Sequence, residues 1–341
     1  MAEGHLSRRS LLGIGVCGSL ALLESTLAGC SRIGPRLASR RGDLPERWVR
    51  RLPADWRPKW VEGPAQVLEA SKAEASGRPA LAQLSDGWAT SLSGQTWIPF
   101  GQEGVLARLD PSAGPASRLF APEGQPILAF PWSRNPWVLV LRDRPDLAQR
   151  ADLGWDVLLE PSLAGKVVLP SSPRVVMALV GEDPQRLCRL RRQALALDDR
   201  HGINLLLSGP AQAAVLPRPQ VVPLLRRDPR LAALLPAEGS PMAWSLLLRP
   251  AGGGEIAPLQ DWLADLLRPP LLPFALAAGW VPPLPRLTLE AATRGFSPSL
   301  TRVLLPPEPV LQRGQNLPPL EPKEQIRLQA LWTSTDPCQR T

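Results

Sequence analysis

Short apolar runs of strand length, each stopped by a turn residue, recur along this chain and limit what it can fold into. Residues 80–84, 126–130, 137–141, 166–169, 213–216 and 244–248 are such runs; their length and boundaries predict buried strands. Helical patterns lie between them. Leu259, Trp262, Leu263, Leu266 and Leu267 share one helical face, and Pro269-Pro270 stops that helix. Residues 184–197 predict a basic amphipathic helix with Leu187, Leu190, Ala194 and Leu197 inward. The 41 prolines among 341 residues mostly punctuate apolar runs, so the elements are short and the turns many. Strands alternating with helices predict an α/β fold with mainly parallel sheets, and such sheets gather ligands where loops converge at the strands' carboxyl ends.

The front of the chain has a different character. Ser7-Arg8-Arg9-Ser10-Leu11-Leu12 precedes a mildly apolar run that reaches Ala28. A basic start, an apolar stretch and a small-residue end make a bacterial export signal, and the pair Arg8-Arg9 marks the twin-arginine route. The run holds Gly13, Gly15, Gly18, Ser19 and Glu24, which makes it soft for a membrane span. Leu27-Ala28-Gly29-Cys30 resembles the lipobox, in which the cysteine takes a lipid and becomes the new N-terminus. Residues 1–29 are thus expected to be a leader, Cys30 a lipid anchor, and 30–43 a small, polar, basic tether.

Removing the leader takes away two arginines and two glutamates, leaving 37 basic against 29 acidic residues and a net charge of +8. The arginines are scattered, with no basic stripe interleaved with aromatics, and export argues against a nucleic-acid partner. Cys188 and Cys338 have no metal or redox spacing; they either pair in an oxidising compartment or stay as two thiols.

Catalytic constellations are scarce. His201 is the one histidine outside the leader and sits in a helix-end context, Asp198-Asp199-Arg200-His201-Gly202. Gly252-Gly253-Gly254 lacks the Lys-Ser/Thr or G-x-G-x-x-G frame of a phosphate loop. No cofactor or metal motif stands out, and a binding protein is expected in preference to an enzyme.

Gly154-Trp155-Asp156-Val157-Leu158-Leu159-Glu160-Pro161, followed by Leu163-Ala164-Gly165-Lys166-Val167-Val168-Leu169-Pro170, resembles a stretch of bacterial extracellular solute-binding proteins. It is similar to the W-x-D-L-x-x-P-x-x-x-G-K-V segment of the spermidine/putrescine type. Other pieces follow in the same order: 80–88, 127–141, 244–250 and 261–285. The resemblance implies a two-lobed periplasmic-binding-protein fold of type II, with hinge crossover strands and a ligand cleft between the lobes. By that analogy lobe 1 is 44–141 plus 245–285, lobe 2 is 142–244, and 286–341 is a tail packing across them. It implies a polyamine-type solute, an ABC permease and ATPase as partners, a periplasmic location, and a membrane contact through Cys30.

Cleft-like positions on this analogy are Ser85, Asp86, Trp88, Trp132, Arg134, Ser172, Arg174, Arg218, Trp244 and Ser245. The set departs from amine chemistry. The amine-binding relatives tend to carry aspartate where Ser172 falls and glutamate where Val175 falls. One carboxylate against three guanidinium groups suits an anionic or polar solute better than a diamine. A third alternative is a structural or assembly lipoprotein that reuses the fold without transport.

Overall fold

The computed structural model describes residues 34–336 apart from 75, 92–95, 199–200, 255 and 257–258. The expected leader with Arg8 and Arg9, the expected lipidation position Cys30, and Cys338 lie outside the described residues.

Eleven strands among the described residues hydrogen-bond into one sheet. They are β1 (Arg36–Arg40), β2 (Arg57–Val61), β3 (Leu81–Ser85), β4 (Trp97–Ile98), β5 (Ala129–Arg142) and β6 (Val167–Leu169). Then come β7 (Ala194–Leu197), β8 (Ala213–Pro217), β9 (Leu231–Leu234), β10 (Pro241–Pro250) and β11 (Gln315–Asn316). The main path runs β2-β1-β3-β10-β5-β8-β6-β7. Both flanks are parallel, as the alternation of strands and helices predicts. The centre is not: β10 runs antiparallel to β3 and β5, and β5 antiparallel to β8 and β9.

β5 makes the connection between the two flanks. Its front half pairs with β10 and its rear half, from Trp137, with β8. Two separate strands are expected from the sequence because Pro131 and Pro136 interrupt the apolar run; the structure carries one strand through both. Pro131 sits beside the register shift at Ser245/Leu246, and Pro136 at the last β10 pairing before β5 turns to β8. A residue without an N–H fits where the ladder shifts or changes partner.

The tether expectation fails from Arg36 onward. Leu37, Ala38 and Ser39 are buried in β1, between β2 and β3, and Ser39 donates to Gln83 Oε1 at 3.1 Å. The flanking arginines hid a three-residue core. The helix expected over 184–197 is likewise shorter. It spans Pro184–Gln193, started by Asp183, whose Oδ1 accepts from the amides of Gln185 and Arg186. Ala194 is extended and opens β7, so Ala194 and Leu197 lie on a strand beside β6. Cys188, on that helix, is buried.

The helix Gln260–Leu266 buries Trp262, Leu263 and Leu266. Trp262 stacks on Trp48 with ring centroids 4.2 Å apart, and each indole N–H donates to the other residue's carbonyl, at 2.7 and 2.9 Å. Across the sheet, a second core gathers Trp155, Val176, Leu187 and Leu190. The G-W-D stretch belongs to it. Gly154 has φ 62°, and a Cβ there would run into the Glu238 carboxylate, which accepts from the Trp155 amide at 2.8 Å. No helix among the described residues is long and apolar enough to cross a membrane.

Candidate functional site

The site grows from the ends of β3 and β6. Ser85 closes β3 opposite Ser245 of β10, and the chain turns into the short helix Asp86–Ala89. That turn drives the Asp86 carboxylate under β10, where Oδ1 accepts from the Trp244 amide at 3.2 Å and the side chain is buried. Burial pushes its pKa up from 3.8 to about 6; the amides of Trp244 and Gly87 and the Arg174 guanidinium pull in the other direction.

After β6, Ser172 is extended and Pro173 starts the helix Pro173–Val180. Arg174, in its first turn, donates through Nη1 to the Leu317 carbonyl at 3.3 Å. Burial lowers its pKa, and the Asp86 charge raises it. Between these two strand ends lies a cavity of about 360 Å³. Gly87, Thr90 and Ser91 form one wall and Ser172, Pro173, Arg174 and Met177 another, with Leu317, Pro319, Leu320, Gln325, Leu328 and Gln329 as the third. A neighbouring cavity of about 520 Å³ also takes in Arg174, and adds Trp155, Glu182, Arg186 and Glu238.

The sequence-derived set therefore divides. Ser172 and Arg174 line the smaller cavity. Ser85, Asp86 and Trp244 line neither cavity, although Asp86 feels the Arg174 charge, and the Trp244 ring is buried with Leu84 and Leu246, its indole N–H taken by Asn316 Oδ1 at 2.8 Å. Ser245 is buried at the crossover: its Oγ accepts from Asn135 Nδ2 at 2.9 Å, in a chain that runs through Ser133 to the Val281 amide. Trp88 is 42% exposed on the short helix and lines neither cavity.

Trp132, Arg134 and Arg218 are corrections. Trp132 points to the opposite side of the sheet, fully buried between Trp48 and Trp280 at centroid distances of 5.5 and 4.9 Å. Its place on a strand beside a Pro fits a ligand aromatic and a core residue equally; only the face of the strand decides. Arg218 is also fully buried and donates to three carbonyls, those of Gly279, Leu304 and Arg134, at 3.2, 3.0 and 2.6 Å. Burial and the Arg134 charge lower its pKa to about 9. Arg134 lines neither cavity; its carbonyl accepts from Arg218, and burial lowers its pKa while the Asp110 and Glu308 charges raise it. Sequence reading missed Thr90, Ser91, Met177 and the residues of the C-terminal segment, since no local pattern says that residues around 320 return to β3 and β6.

No protein-family model matches the sequence, and no curated protein matches it. Solved structures do. The Streptococcus pneumoniae spermidine/putrescine ABC transporter substrate-binding protein PotD, in complex with calcium and HEPES, aligns with TM-score 0.69 and 13% identity over 89% of this chain and 98% of its own. The fold is that of ABC-transporter substrate-binding proteins. The Tp0655 (TpPotD) lipoprotein of Treponema pallidum has this fold at TM-score 0.62 and 14% identity, covering 88% of this chain and 98% of its own. Iron-bound HitA of Pseudomonas aeruginosa does so at 0.63 and 11%, covering 89% and 99%. The two-lobed type II substrate-binding fold expected from 154–170 is thus present. Its neighbours differ in solute, so the fold alone does not choose one.

Proposed function

We propose that this chain is the receptor of an ABC importer, exported by the twin-arginine route, anchored to the membrane by lipid on Cys30, and delivering a small solute to a permease and ATPase. The substrate-binding fold supports the receptor role. In this reading lobe 1 is 44–141 with 245–285, extended forward to take in β1, lobe 2 is 142–244, and the solute sits between the ends of β3 and β6. Hinge closure of such lobes buries a solute and presents a changed surface to a partner.

The observation that carries the solute class is Arg174, the charged side chain lining the smaller cavity together with Ser172; the hydroxyls of Thr90 and Ser91, also in its lining, donate to carbonyls of their own helix. A guanidinium suits carboxylate or phosphate oxygens. We therefore infer an anionic or polyhydroxylated solute. The second reading is a polyamine; the spermidine/putrescine neighbours and the Asp86 carboxylate favour it. Against it stand the burial of Trp132 in the core and the use of Asp86 by a backbone amide.

A thermal-shift screen of the chain from residue 31 against carboxylates, phosphates, sugars and amines separates these readings. A bound solute stabilises by mass action, about 3 kcal/mol at a hundredfold excess over Kd. Stabilisation by an anion supports the first reading; stabilisation by putrescine or spermidine alone replaces it with the second. Silence across the panel favours the non-transport lipoprotein.

A further inference from the structure

The two cavities at the candidate site are not independent. Both are lined by Arg174, Met177, Leu317, Leu320 and Leu328. The C-terminal segment therefore forms one wall of each.

That segment also engages polar groups of the cleft. The Gln315 amide donates to the Ser240 carbonyl at 2.9 Å, and β11 pairs parallel with the start of β10. Asn316 takes the Trp244 indole N–H, and the Leu317 carbonyl takes Arg174. The helix Pro322–Ser334 then lies against the helix Pro173–Val180.

Its hold is slight. Leu328 is the one buried residue of the thirteen in this helix. Arg327 pairs with Glu182 at the surface at 2.7 Å, while the end of the helix is held more firmly: the largely buried Arg191 lies over the Trp332 ring at 4.0 Å and donates to the Trp332 carbonyl and, at 3.2 Å, to Oγ1 of the buried Thr335. Exposed ion pairs contribute little, and a two-residue strand is a weak pairing. Ahead of that anchored end, from Gln315 to Leu328, few buried contacts over an exposed backbone mark a stretch of low local stability, the kind that opens while the rest of the fold stands. The groups it would release include Arg174, on which solute recognition rests.

We propose that residues 315–328 are a built-in, displaceable cover of the solute cleft, so that a solute reaching Arg174 does so in competition with the chain's own C-terminal segment. This rests on the receptor reading for the identity of the competitor, but the cover itself is testable without any solute. The test uses the chain from residue 31 with Cys338→Ser and with Ser172→Cys as a reporter; Ser172 lines the cavity and its hydroxyl makes no capping bond. Maleimide labelling of that cysteine is followed by mass spectrometry.

Leu328→Asp is expected to speed labelling by about tenfold, and Arg327→Glu, an exposed change that leaves the core untouched, by about twofold. Unchanged rates in both variants overturn the cover. Citrate, phosphate and putrescine are then titrated against the protein with native Ser172 and its Leu328→Ser variant, which loosens the cover without adding a charge beside Arg174. Tighter binding of any of them to the variant supports competition, whereas equal or weaker binding overturns it. Faster labelling with none of the three bound to either protein upholds the cover and counts against the receptor reading instead.

Discussion

The indole Nε1 of Trp244 donates to Oδ1 of Asn316 at 2.8 Å, joining the crossover strand β10 to the C-terminal segment across 72 residues of sequence. Replacing Asn316 with Leu removes the acceptor and leaves the part-buried indole N–H without this partner. That costs about 1–2 kcal/mol. The loss falls on the docking of the segment, because the rest of β10 keeps its ladder. Amide exchange should therefore quicken across Pro322–Ser334 in Asn316→Leu while β5 and β8 stay protected. Uniform protection in both proteins would count against the link.

Asp86 makes stability depend on pH in an unusual direction. Its folded pKa, about 6, lies above the ordinary 3.8 because burial disfavours the carboxylate. Between these values the unfolded chain gives up the proton and the folded chain keeps it, so the Asp86 contribution to stability falls as pH rises from about 4 to about 6. Above that it is constant, a penalty on the order of 2–3 kcal/mol. Asp86→Asn should remove it while the amide oxygen still accepts from Trp244. Urea unfolding at pH 4 and pH 7 should show a smaller loss in the variant than in the parent; parallel profiles would contradict the burial of a titrating group.

Arg218 holds three carbonyls from three separate stretches of chain. Arg218→Leu leaves those acceptors buried and unpaired, a loss of about 3 kcal/mol or more. Lys cannot reproduce the fork and should rescue only part of it. The check is a denaturant midpoint for both variants. A midpoint within error of the parent's for the Leu variant would mean that Arg218 is not the staple described.

Trp132→Ala should destabilise by about 3–5 kcal/mol, the cost of emptying a tryptophan-sized space in a core. Solute affinity should be untouched once the variant is folded, because the ring lies across the sheet from the candidate cavity. A loss of affinity without loss of stability would return Trp132 to the cleft.

Arg174→Glu reports on the solute itself. If the solute is an anion, the reversal should weaken its binding by on the order of 2 kcal/mol, read as lost stabilisation in the thermal-shift screen. If the parent binds amines, the same change should strengthen that binding. The two readings predict opposite signs for one substitution.

The fold class was legible in the sequence because strand-length apolar runs bounded by Pro and Gly depend only on local chemistry. Five of the six runs coincide with strands β3, β5, β6, β8 and β10, and 126–130 merges into β5 across two prolines. The order of 154–170 and its neighbours likewise pointed to the two-lobed substrate-binding fold. β1 escaped notice because Arg36 and Arg40 flank only three buried residues, which reads as a basic tether until β2 and β3 close over it. Residue types near the site were legible too, but the side of the sheet was not. Trp132 and Trp244 look alike along the chain, and only the strand face and register send one into a tryptophan core and the other toward Asp86. The role of the C-terminal segment was decided by tertiary structure alone. What joins Asn316 to Trp244 and Leu317 to Arg174 is proximity between distant stretches, and no spacing along the sequence records it.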